Sequence, residues 1–185
     1  MTPWVRKDYK SYNDYFARLG YVIGESDEQV SVAVFCPIRS LYFDFKREKL
    51  GALREKFITY YSTCERLAEL NIPFHIIDET VMENEGKATT SGGKLTVGKC
   101  TYDYVIFPKT LTMGKFSASL FEKYYADGGK MLFVDEMPTY MEGEEHVYAF
   151  KSNVTMEGIV SAQPYSIDDT HTMIRSNHLI YKGKH

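Results

Sequence analysis

The chain has 185 residues, 44% of them hydrophobic and 25% charged, with a formal net charge of −3. That length and balance fit one domain with a buried core, with or without appendages, and exclude a largely disordered chain. No basic stripe is present for nucleic acid, and no run approaches the ~18 apolar residues of a membrane span.

The first residues, Met1 to Lys7, lack the apolar core of a secretory leader. Cys36, Cys64 and Cys100 stand at no metal or disulfide spacing. The expectation is a cytoplasmic protein without metal or cofactor, unless the chain is cut from a longer one. Its 15 Tyr and 11 Phe are a surplus, read first as core and half-buried edges and second as a surface for sugar or a partner protein.

From the N-terminus, the spacing of Tyr12, Tyr15, Phe16, Leu19 and Ile23 predicts a helix over 9–24. The β-branched run from Val30 to Phe35 predicts the first core strand, stopped by Pro37. A helix over 46–70 follows, with Leu50, Leu53, Phe57, Tyr60, Cys64 and Leu67 as one apolar stripe. Cys64 is therefore expected to be buried. Asn71 closes this helix and Pro73 cannot extend it. Phe74 to Ile77 is the second strand, so strand, helix and strand form a right-handed βαβ unit.

Residues 78–93 read as a loop with a helical turn, and Lys94 to Val97 as a small edge strand. Tyr104 to Phe107 is the third core strand. The spacing of Ser119 and Glu122 predicts a capping box that opens a helix, with Leu120, Phe121, Tyr124 and Tyr125 towards the sheet. Gly128 and Gly129 end it, and Lys130 to Val134 is the fourth strand. Segments 147–150 and 158–162 read as further strands. The alternation predicts an α/β fold, doubly wound and flavodoxin-like, with a mainly parallel sheet and helices on both faces. The organisation expected is an N-terminal helical segment (1–28) packing on an α/β domain (29–150), with a C-terminal extension (151–185).

In such folds function gathers at the carboxyl ends of the strands. The candidates there are Cys36 and Arg39 after the first strand, and Asp78 and Glu79 after the second. Lys109 follows the third, and Asp135 and Glu136 the fourth. Cys36 has no assured His partner and reads first as a small packed residue. The paired carboxylates suggest glycoside hydrolysis. In the strand order 2-1-3-4, however, the two pairs stand about 14 Å apart, beyond the ~5–10 Å that glycosidases need. They read instead as caps and solvated loop acids. Asp168, Asp169, His171 and His178 lack metal-ligand spacing. Neither a dinucleotide fingerprint nor a Walker loop is present; Gly92-Gly93-Lys94 does not make one.

The order of motifs adds a resemblance. Tyr12-Asn13-Asp14-Tyr15-Phe16-Ala17-Arg18-Leu19 precedes a strand ending in Cys36-Pro37. Ile77-Asp78-Glu79, Tyr102-Asp103-Tyr104-Val105-Ile106-Phe107-Pro108 and Ala126-Asp127-Gly128-Gly129-Lys130 follow. Over about residues 9–138 the chain resembles the class I glutamine-amidotransferase-like domain of large multidomain glycoside hydrolases, closest to α-L-rhamnosidase-like proteins. It is also similar to the domain that helps hold β-galactosidase trimers together. The resemblance implies an accessory or oligomerisation domain whose catalytic acids lie on a separate barrel. Its expected partner is that barrel or further copies of the chain. At the position of the amidotransferase elbow the chain reads Val134-Asp135-Glu136-Met137-Pro138, without cysteine, so that activity is not implied. Trp4, Tyr9, Tyr12, Tyr15 and Phe16 are the expected contact surface, since one helix cannot bury so many rings on a single face. Two alternatives stand beside this reading: a small enzyme using Cys36 or the strand-end carboxylates, and a carbohydrate-binding module.

Overall fold

The computed structural model describes residues 3–43, 45, 50–85, 88–165 and 178–181. The side chains of Trp4, Leu50 and Leu53, the start of the helix expected from residue 46, and Asp168, Asp169 and His171 lie outside the described residues. Chain contacts define two units, Met1–Gln29 with Asn177–His185, and Val30–Ser176.

In the smaller unit, helix α1 (Pro3–Gly24) leads into strand β1 (Ser26–Glu28). β1 pairs antiparallel with the closing segment Leu179–Tyr181. Two contacts reinforce this join: Gln29 N donates to His178 O at 2.8 Å, and the rings of Tyr21 and Tyr181 meet edge-on.

The larger unit begins with β2 (Val32–Phe35), the short helix α2 (Ile38–Phe43), α3 (Leu50–Glu69) and β3 (Phe74–Ile77). A π-helical turn, Val81–Glu85, leads to the strands β4 (Thr89–Ser91), β5 (Lys94–Val97) and β6 (Cys100–Tyr102). Then come β7 (Tyr104–Phe107), β8 (Thr112–Met113), α4 (Lys115–Ala126) and β9 (Lys130–Phe133). The hairpin β10 (Tyr140–Met141) and β11 (Glu144–Glu145) and the helix α5 (Met156–Ser161) complete it.

The central sheet is parallel throughout, in the order β3-β2-β7-β9. Successive side chains of a strand point to opposite faces. Ala33, Phe35, Val105, Phe107, Met131 and Phe133 therefore share one face, packed with Phe121 and Tyr124 of α4 and Leu95 and Tyr102 of the β4–β6 meander. Val32, Val34, Tyr104 and Ile106 share the other, with Leu67 of α3 and Ile159 of α5. Burial on both faces explains why β2 and β7 read as continuous apolar runs without alternation.

Several local expectations are corrected. Helix α4 opens at Lys115 with Gly114 as its cap, so Ser119 lies inside it. The start is fixed from a distance, because the Gly114 N–H donates to Glu79 Oε1 at 2.6 Å. Lys94–Val97 is the middle strand of its meander, with Leu95 fully buried, and not an edge. Residues 158–162 belong mostly to α5, whose first turn is capped by the Thr155 hydroxyl accepting from Gly158 N.

Residues 147–150 form no strand; the chain beyond them closes the β9 edge with two side chains and one backbone bond, Asn153 N donating to Met131 O at 3.0 Å. Phe133 N donates to Ser152 Oγ, and Met131 N donates to Asn153 Oδ1, at 2.9 and 2.8 Å. An exposed edge is a template for unwanted pairing, and this one is occupied. On α3, Leu67 is fully buried, whereas Phe57, Tyr60 and Cys64 are only half-buried. The expectation of a buried Cys64 is corrected accordingly: it is packed only partly against the core around Leu67.

Candidate functional site

The carboxyl ends of β2 and β3 bring two of the expected residues together. Pro37 turns the chain into α2, whose first turn carries Arg39. Arg39 Nε lies 3.1 Å from Glu79 Oε2, and its Nη2 lies 3.6 Å from Glu83 Oε2. The Glu79 side chain is only 6% exposed. Burial pushes its carboxyl above the usual range, against the opposing pull of the Gly114 N–H, Arg39 and the Ser117 hydroxyl. Glu79 thus joins the end of β3 to α2 and to the start of α4, a structural role that its neighbours in sequence do not reveal.

Cys36 sits with Tyr60 and Cys64 of α3, the tyrosine hydroxyl interacting with both thiols. Burial raises the pKa of each thiol, outweighing that interaction, and Asp78 raises Cys36 further. Thiolate is the nucleophilic form, so this environment opposes nucleophilic use. Asp78 caps the following turn, its Oδ1 accepting from Val81 N at 3.0 Å. His75 Nδ1 lies 3.0 Å from the Tyr102 hydroxyl.

Asp135 and Glu136 are exposed beyond β9. Asp135 adopts φ 71°, unusual for a residue with a side chain, and Thr59 Oγ1 donates to its Oδ2 at 3.4 Å. Since β3 and β9 are opposite edges of the sheet, the two acidic pairs stand about 14 Å apart at three strand spacings. The fold therefore separates them. Lys109 and Glu136 do share an open depression of about 350 Å³ with Thr110, Leu111, Met137 and Thr139.

A second depression, of about 450 Å³, was not visible in the sequence. It is lined by Arg39, Tyr42 and Phe43 from α2, Thr112 from β8, and Glu142 and Gly143 from the β10–β11 turn. Its walls are tied together by Ser40, whose hydroxyl donates to Thr112 O and accepts from Leu111 N and Thr112 N. Those bonds join residues 71 and 72 apart in sequence, and β10, parallel to β8, adds the third wall. At the rim of the depression Glu142 has φ 52° and Gly143 φ 90°. Lys115 holds the Glu142 carboxylate, through its backbone N–H and its ammonium group, below the usual carboxylate range.

On α1, Tyr9, Tyr12, Tyr15 and Phe16 are all exposed, as are Leu19 and Ile23. Tyr9, Tyr12, Phe16, Leu19 and Ile23 are spaced three, four, three, four, the seam of a helix pair.

Among the described residues no three His, Cys, Asp or Glu side chains gather as a metal site, and no helix is long and apolar enough to cross a membrane. Comparison with models of known protein families and with curated proteins gives no match to this chain.

Proposed function

We propose that the chain is a doubly wound, flavodoxin-like accessory domain that docks through α1 and performs no catalysis of its own. It would play the part of the glutamine-amidotransferase-like domain in a multidomain glycoside hydrolase, whose sequence motifs it resembles. The strand order β3-β2-β7-β9 and the packing of α3 and α5 on one face and α4 on the other support the fold. The separated acids, the raised pKa of the Cys36 and Cys64 thiols and the lack of cysteine between Val134 and Pro138 support the absence of catalysis.

The observation that carries docking is the exposed seam on α1, with Tyr12 at 61% and Phe16 at 48% exposure. Single exposed apolar residues are ordinary, but a continuous stripe of this kind marks an interaction surface. A second copy of the chain is the occupant tested first, because seam spacing is self-complementary.

Sedimentation velocity over micromolar to submillimolar concentrations tests this. The expected result is a reversible oligomer that the double substitution Phe16→Ser and Leu19→Ser abolishes while the sheet stays folded. A chain that is monomeric at every concentration, or an oligomer indifferent to these substitutions, would overturn self-association through α1.

A further inference from the structure

We propose that the depression between α2 and the β10–β11 turn binds a neutral sugar. The inference is independent of docking through α1. The depression combines an aromatic side with hydrogen-bonding groups. Tyr42 is 75% exposed, and Phe43, half exposed, leans on Tyr140 with ring centroids 5.6 Å apart and planes 33° from parallel. Such rings offer flat apolar faces to the C–H face of a pyranose. Beside them stand a guanidinium, from Arg39, and a carboxylate, from Glu142. These are a donor fork and an acceptor pair suited to neighbouring hydroxyls.

The charges there are already balanced. Arg39 is paired with Glu79 and Glu83, and Glu142 with Lys115. A phosphate or carboxylate ligand would have to displace the glutamates from Arg39, and a cation would meet Arg39 and Lys115. A neutral polyhydroxyl ligand meets neither obstacle. The volume of about 450 Å³ lies within the usual range for small-ligand pockets, about 300–1,000 Å³.

The turn that walls the depression is itself constrained. Glu142 is held in a left-handed conformation that disfavours side chains, at φ 52°. Gly143 follows it at φ 90°, where an added Cβ would lie 3.2 Å from Phe43 Cε2. The turn thus needs a glycine to let the Phe43 ring close against it.

Saturation-transfer NMR with the full chain and methyl glycosides of neutral hexoses, deoxyhexoses and pentoses tests the site. The expected result is binding of at least one of them with Kd of about 1 mM or tighter. Phe43→Ala and Tyr42→Ala should each weaken it by about tenfold, and Glu142→Gln should weaken it as well. The exposure of Tyr42 keeps its variant informative if Phe43→Ala fails to fold. A uronate should bind more weakly than its neutral parent, because Glu142 repels it. Absence of binding across the panel, binding unchanged in Tyr42→Ala and Glu142→Gln, or preference for the uronate would each overturn the proposal.

Discussion

At the scale of single residues, Tyr124 shows how one side chain holds the sheet. Its ring is fully buried, and its hydroxyl accepts from Lys130 N at 3.1 Å and lies 2.9 Å from Asp103 O and 3.2 Å from Lys130 O, either of which it can donate to. It therefore joins the starts of β7 and β9. Gly129 must be glycine, since an added Cβ would lie 2.5 Å from the Tyr124 ring. Tyr124→Phe should cost about 1–3 kcal/mol by stranding the Lys130 N–H. Gly129→Ala should cost a similar ~1–3 kcal/mol through overpacking. Urea unfolding of both variants measures this, and a loss below about 0.5 kcal/mol in Gly129→Ala would show that the ring gives way.

Glu79 makes a pH-dependent contribution. Its folded pKa is raised by burial, so the folded state binds its proton more tightly than the unfolded chain does. Its contribution is then fully present below the unfolded pKa and is lost as pH rises through the folded pKa. Glu79→Gln removes that titration. The stability of the native chain relative to Glu79→Gln should therefore improve between neutral pH and about pH 4. Denaturant unfolding at both values checks the sign, and a relative loss on acidification would mean that Arg39 and Gly114 outweigh burial.

At the scale of elements, the sequence was most legible where periodicity and burial coincide. The four core strands are short, largely apolar runs with proline or glycine shortly before or after them, and their places follow directly. Asn71 closes α3 at φ 53° as its residue type suggests. The failures have a common physical cause, in that the deciding partner is remote. The start of α4 depends on a carboxylate 35 residues earlier, which outweighs the local spacing of Ser119 and Glu122. The segment after Phe150 serves β9 mostly through the Ser152 and Asn153 side chains, with a single backbone bond, and so carries no strand pattern. The depression of Tyr42, Phe43 and Glu142 likewise joins segments that only the fold brings together.

The apolar stripe of α3 was read correctly in spacing but not in depth. Leu67→Ala should cost about 2–5 kcal/mol, and Phe57→Ala clearly less, since Leu67 is fully buried and Phe57 only half-buried. Equal losses in thermal or urea unfolding would mean that the helix seats along its whole length. Helix α1 raises the opposite question. A single helix exposing its apolar seam is marginal in water, because most helical stability in proteins comes from packing. Its persistence therefore depends on what covers the seam.

At the scale of the whole molecule, catalysis and docking separate. The sheet places its acidic pairs on opposite edges, and burial raises the pKa of the Cys36 and Cys64 thiols. Purified chain should therefore show no turnover of aryl rhamnosides or galactosides. Turnover that Asp78→Asn or Asp135→Asn abolishes would contradict this and would exclude a contaminant as its source. The central claim is that α1 is a docking element, and amide hydrogen exchange across a dilution series tests it most directly. Protection over residues 9–23 should rise with protein concentration while protection in the central sheet stays constant, and Phe16→Ser with Leu19→Ser should remove the rise. Exchange in α1 that is the same at every concentration would contradict it.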